Sequence, residues 1–309
     1  MINYHYIKKK SFFKKLKYLE FINFKNQIDF LIKKTNIITL DEVPFIDHKS
    51  KKNYCLLTFD DGYSEHYNLV FDYLSKKKIK GNFFIPVDNF KKQKLLLVNK
   101  IQIILSLYYG DEDDLLKILY KEFNKYKIDI YKILFIWRKN KKRHLITNFD
   151  DEKVFFIKEI LQNLTPVKIR KKVTHEVFQK KSKVSEEEIA KKFYISMKNI
   201  IEIKKSGMHI GAHGNTHEWM QFMSYEQQKK EVASSKKFLK KIVKSDDLLS
   251  FSYPYGSYNK NTIKILKKYK FNFGLTTEQN FFTKLDAKNQ FILPRYDTVD
   301  LKYNKKLIS

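Results

Sequence analysis

Cysteine is almost missing from this chain: Cys55 is the only one in 309 residues. One thiol excludes an intrachain disulfide framework and a cysteine-based metal cluster. Cys55 lies in the apolar run YCLLTF and reads as a small packed hydrophobe. Glycine (8) and proline (5) are scarce, and no low-complexity tract or internal repeat appears beyond lysine runs. No apolar stretch approaches the roughly eighteen residues of a membrane-spanning helix. The opening MINYHYIKKKSFFKKLKYLEF has no apolar signal-peptide core, so the expected location is cytoplasmic. Acids are also few, 34 against 62 Lys and Arg, a formal net charge of +28.

What is present builds a core. The hydrophobic fraction is 43% and the aromatic fraction 16%, which excludes global disorder. The basic excess has two readings. One is an anionic partner, either nucleic acid, an acidic glycan or a membrane surface. The other is a lysine-rich composition, and the even spread of lysine along the chain favours it. No nucleic-acid partner is expected, peripheral association with an anionic membrane stays open, and no obligate protein partner is indicated.

Strand-like runs occur at 54–59, 81–86, 208–212, 248–254, 271–277 and 290–294. Helical spacing marks 65–78, 224–244 and 258–270, the second opening on a capping box, Ser224 with Gln227. Strands alternating with helices predict a parallel α/β architecture. Residues 88–206 break that rhythm and read as a helical insertion within one domain spanning 1–309. The acids of DEDD (111–114) suit the first turn of a helix better than a metal site.

Four stretches carry chemistry. LLTFDDGY ends a strand on two adjacent carboxylates, Asp60 and Asp61. A solvated Asp-Gly turn explains them by itself. MHIGAHGNTHEWM places His213 and His217 four apart behind another strand. Two histidines and one carboxylate can hold a metal and leave a position open for water, with the second carboxylate free to accept that water's proton. FSYPYGSYN makes a Pro/Gly turn able to aim a backbone N–H at an oxyanion, and LPRYDTVD carries Arg295, either a surface arginine or one that orients a carboxylate.

TFDDGY, HGNTH, SYPYG and LPRYDT, in this order, resemble the polysaccharide deacetylase family with the NodB homology domain, a carbohydrate esterase family 4-like group. NYHYI and FKNQIDFLIKKTNIITLDEV resemble the lead-in of members acting on poly-N-acetylglucosamine-type glycans. The resemblance covers about residues 1–86 and 207–300. It implies a distorted (β/α)7 barrel with its site at the strand C-termini. It further implies one divalent ion, zinc in the first instance with cobalt, nickel or manganese as substitutes, held by Asp61, His213 and His217. Asp60 would be the base, the Tyr255 N–H an oxyanion donor, and the substrate an acetylated carbohydrate. Arg295 is expected to orient Asp60, because Ser252 stands where the family often has arginine. Gly214 replaces a hydroxyl residue that usually braces the histidine loop. The family's late leucine-histidine motif is absent, which leaves the general acid unassigned, with His66 and His209 nearest the motifs in sequence. That absence also sustains an alternative, a catalytically silent carbohydrate-binding relative. A basic nucleic-acid-binding protein is supported by charge alone.

Overall fold

The computed structural model describes residues 1–10, 18–46, 53–89, 93–139, 151–245, 247–281 and 289–298. Their contacts define two compact units. The first gathers Met1–Lys10 and the described residues of Tyr18–Lys94 and from Ala190 on; the second holds the described residues of Leu95–Ile189.

The first unit is built on a seven-stranded sheet. In chain order its strands are β1 (Ile2–Tyr4), β2 (Leu57–Phe59), β3 (Asn82–Ile85), β4 (His209–Ala212), β5 (Ser250–Ser252), β6 (Phe273–Leu275) and β7 (Tyr296–Asp297). They lie in the order β6-β5-β4-β3-β2-β1-β7, and every pairing is parallel. Parallel strands are covered on both faces, so every residue of β1 to β6 is buried rather than every second one. Successive side chains still point to opposite faces. Phe83 and Ile85 join the larger apolar cluster with Ile200, Val232 and Ile265 from the surrounding helices, whereas Phe84 joins Leu275 and Leu293 in a smaller one inside the curl.

One extended segment closes the curl into a distorted barrel. Leu293 bridges Leu275 of β6 in parallel, and three residues later β7 pairs with β1. The sequence run 290–294 is therefore not a regular strand: only Leu293 forms a bridge, and the strand proper is Tyr296–Asp297. β1 was not among the runs singled out by pattern; Asn3 interrupts its apolar character and is buried, bonded to Thr58 and Arg295.

The capping box at Ser224 forms, with the Ser224 hydroxyl accepting from Gln227 N at the start of helix Tyr225–Leu239. The stretch 65–78 is a π-helical run, His66–Phe71, continuing into α-helix Asp72–Lys76. Cys55 is buried.

The second unit is helical. Leu97–Leu107, Glu112–Asn124, Ile130–Lys139, Glu152–Gln162 and Val167–Lys181 bury Ile104, Leu119, Phe123, Ile157 and Val173. Glu112, Asp113 and Asp114 sit in the first turn of their helix, where carboxylates face its positive end. The stretch 88–206 thus divides. Helix Met197–Lys205 contacts β4 and belongs to the first unit, as do Asp88 and Asn89.

Candidate active site

The C-terminal ends of β2, β4 and β5 converge. Asp60 and Asp61 follow β2, His213 follows β4, and Ser252 ends β5. Asp60, Asp61, His213 and His217 are each less than 8% exposed, as relative accessibilities of 1%, 4%, 2% and 7%.

Asp61 Oδ1, His213 Nε2 and His217 Nε2 form a triangle. The carboxylate oxygen lies 3.4 Å from His213 Nε2 and 3.2 Å from His217 Nε2, and the two nitrogens are 3.2 Å apart. Ligands at about 2.0–2.1 Å around a tetrahedral ion stand about 3.3 Å apart. The triangle therefore has the dimensions of three corners of such a shell. Two further observations fit an ion. Asp61 Oδ1 is buried without a hydrogen-bond partner. His213 Nδ1 lies 2.9 Å from the Ser252 carbonyl, which fixes that nitrogen as the donor and turns the lone pair of Nε2 inward. The other Asp61 oxygen accepts from the Tyr63 hydroxyl at 2.6 Å. Burial raises the Asp61 carboxyl, but the two imidazoles outweigh it and hold it well below the usual range.

Asp60 is held differently. Arg295, 1% exposed, grips it as a fork: Nη1 to Oδ1 at 3.0 Å and Nη2 to Oδ2 at 2.9 Å. The same guanidinium donates to Thr276 O, Asn3 Oδ1, Thr58 Oγ1 and Ser252 Oγ. Ser252 donates onward to Asp60 Oδ2 at 3.0 Å. Burial pushes the Asp60 carboxyl up; the charges of Arg295, His213 and His5 overcome this and hold it at about 2.

Three residues of the group share an unusual backbone. Asp61 (φ 76), His217 (φ 56) and Tyr255 (φ 57) are non-glycine residues in the left-handed region. Such conformations cost of order 1–3 kcal/mol each and concentrate where geometry serves function. Tyr255 stacks flat on Trp219 (4.5 Å, 3°) and meets His217 edge-on at 4.9 Å. Phe222, 71% exposed, lies beside Trp219.

The brace missing at Gly214 comes from elsewhere. Glu231 accepts from Asn215 N (2.7 Å), Thr216 N (2.9 Å) and Thr216 Oγ1 (2.8 Å), pinning the loop between the two histidines. Gly214 has φ +73, and a Cβ there would meet Glu231 Oε2 at 3.4 Å. Glu231→Ala should weaken metal binding about 10–100-fold, with Glu231→Gln intermediate. Chelator competition measures this; unchanged affinity in the alanine variant would remove Glu231 from the loop's support.

Neither histidine flanking the motifs faces the group as an acid. His66 is fully buried, its Nε2 lies 2.8 Å from the His5 carbonyl, and burial lowers its imidazole to about 4. His209 opens β4, the end of the strand away from His213, between Asp41 (2.9 Å) and Ser250 (2.6 Å). That Ser-His-Asp line has the composition of an acyl-transfer triad, yet Ser250 has no exposed surface.

The residue that pattern reading passed over is His5. Its Nδ1 lies 3.5 Å from Asp297 Oδ2, and its side chain is 37% exposed. Burial lowers its imidazole, but Asp297, Asp61 and Asp60 together raise it to about 9. The signal was in view as the histidine of NYHYI, but its partner lies 292 positions away in LPRYDT (5 against 297).

The family model "Polysaccharide deacetylase" matches residues 47–116 and 138–274, more than half of the chain. The chain belongs to the polysaccharide deacetylase family. A poly-beta-1,6-N-acetyl-D-glucosamine N-deacetylase of Staphylococcus aureus (strain MRSA252) is 25% identical over 247 residues, 75% of this chain and 79% of that protein. YxkH of Bacillus subtilis (strain 168) is 30% identical over 90 residues, 29% of this chain and 32% of YxkH, so the match spans about a third of that relative. Among solved structures, IcaB from Ammonifex degensii superposes with a TM-score of 0.57 at 16% identity, covering 99% of this chain and 94% of that one. At that identity the likeness is one of fold, the distorted barrel. Among the described residues, no helix is long and apolar enough to cross a membrane.

Proposed function

We propose that this chain removes acetyl groups from an N-acetylated glycan by hydrolysis, with one divalent ion, zinc, held by Asp61, His213 and His217. The observation that carries the reading is the ligand-sized triangle beside a carboxylate locked by Arg295. The family relationship and the S. aureus relative's substrate support the same reaction class.

The roles follow from the environments. A divalent ion in the triangle would supply Lewis acidity, lowering the pKa of bound water towards about 7 and polarising the acetyl carbonyl. That matters because Asp60, at about 2, is too weak a base for unactivated water. Asp60 takes the proton as water adds to the carbonyl carbon. The Tyr255 N–H donates to the oxygen on which charge develops. His5, protonated beside Asp297, gives its proton to the departing nitrogen, so the C–N bond breaks to acetate and a free amine. The flat Trp219–Tyr255 pair supplies an apolar wall suited to a sugar ring. The silent-relative alternative drew on the missing late histidine; the His5–Asp297 pair supports the active reading instead.

The test is acetate release from N-acetylglucosamine oligomers by zinc-loaded protein, with chelator-treated protein as control. Absence of release under zinc, cobalt, nickel and manganese loading alike would overturn the reading. His5→Asn should lower kcat about 10²–10⁴-fold and abolish the alkaline fall in rate. In the wild type the rate falls as pH rises and His5 loses its proton. With the ion in place that limb lies below about 9, because a nearby dication opposes protonation. A limb that persists in the asparagine variant would assign it to another group.

A further inference from the structure

A cavity of about 570 Å³ opens in the first unit, within the range of small-molecule sites. Its described walls carry Lys191, Lys237 and Lys241 and no carboxylate. Tyr194, Phe238 and Met197 add ring and apolar surface. Lys237 and Lys241 lie near the end of helix Tyr225–Leu239, where cations offset the helix dipole. That alone would explain two lysines on a solvated surface. Three observations go further. Among the described residues neither Lys237 nor Lys241 makes an ion pair. Lys191 comes from a different element, beside the N-terminal end of helix Met197–Lys205, whose first residues also line the cavity. Asn89, 4% exposed, lines it too, and neither its amide nitrogen nor its oxygen has a hydrogen-bond partner.

Two lysines without ion pairs among the described residues, Lys237 and Lys241, with a helix N-terminus and the Asn89 amide around one hollow, select an oxyanion. The aromatic surface selects a ligand with a body behind that charge. We infer that this cavity binds a phosphate-bearing ligand, a sugar phosphate or the phosphate of a larger glycan carrier. The sugar portion rests on the deacetylase reading; the phosphate portion does not. The cavity is also tied to the candidate ligand set. Tyr194 forms a β-bridge with Tyr63, and the Tyr63 hydroxyl bonds Asp61.

The test is calorimetric titration of the full chain at low and high salt. The probes are inorganic phosphate, N-acetylglucosamine 1-phosphate, a phosphodiester-linked acetylated glycan, and unphosphorylated N-acetylglucosamine. The phosphorylated probes should bind more tightly than N-acetylglucosamine, and more weakly as salt rises. The double variant Lys237→Glu/Lys241→Glu should lose about tenfold or more in affinity for them. Both lysines are exposed, so its Tm and metal content should match the wild type. Tighter binding of the phosphodiester-linked glycan identifies the carrier as the source; tighter binding of the soluble sugar phosphate identifies the free metabolite. Equal affinity for phosphorylated and unphosphorylated sugar, or a double variant that binds phosphate like the wild type, would overturn the inference. Acetate release is measured separately, so failure of the deacetylase reading is distinguishable from failure here.

Discussion

Asp60→Asn should keep its metal and lose nearly all turnover. The amide matches the carboxylate in shape, so the contacts of Ser252 and of one guanidinium nitrogen can survive. It cannot accept a proton, and removal of a positioned base costs about 10²–10⁴ in rate. Asp60 is no corner of the ligand triangle; its Oδ2 lies 3.9 Å from His213 Nε2. Asp61→Asn should do the reverse first and lose the ion, because Oδ1 is the atom facing both imidazoles. Elemental analysis beside acetate release separates the two. Equal metal loss in both variants would contradict the division of roles.

Arg295→Ala should be the most damaging single change to stability and to rate together. The guanidinium is fully buried and bonds residues of β1, β2 and β5 as well as Thr276 beyond β6. Removing it strands Asp60 as a buried, unpaired charge, a loss of about 3–5 kcal/mol. The pH dependence has a definite sign. In the wild type Asp60 is held at about 2, below the ordinary aspartate value of about 3.9. Its stabilising contribution is therefore present above the ordinary value and is lost as pH falls through about 2. In the alanine variant the largest of the charges that lower it is gone, so the carboxyl rises from about 2, and its protonation on acidification relieves part of the defect and narrows the gap between variant and wild type. Arg295→Lys keeps a charge without the fork and should fall between. Metal content should persist, and kcat should drop more than KM rises, since what is lost is the positioning of the base. Wild-type stability in Arg295→Ala would refute the account.

The candidate site was legible where chemistry and spacing coincide. A turn explains the adjacent acids taken alone, but together with two histidines four apart behind another strand, and in the order of the family motifs, Asp60, Asp61, His213 and His217 stand out from the chain. Arg295 was legible through the family resemblance, which implies an arginine partner for that carboxylate where this chain has Ser252. His5 was not. A single histidine among tyrosines has no local meaning, and its partner Asp297 is joined to it only by the pairing of β1 with β7. The strands blurred for a related reason: at two to four residues they are too short for periodicity to fix their ends, and closure through a lone bridge at Leu293 has no pattern to read. Glu231 was invisible because its worth lies in three donors from a loop fifteen and sixteen residues earlier.

The segment from Leu293 to Asp297 spans the gap between β6 and β1. It carries Arg295 to the base and Asp297 to His5. The last sheet contact to form and the last polar partners to arrive therefore belong to the same few residues. On the proposed roles, Asp61, His213 and His217 can come together once β5 has been made, before Arg295 and Asp297 have been added to the chain. A chain in that state would hold an ion without turning over substrate. On the proposed roles competence would begin only when the barrel shuts, which ties the onset of activity to a pairing of high sequence separation, Ile2 with Tyr296, the kind of contact that forms slowly.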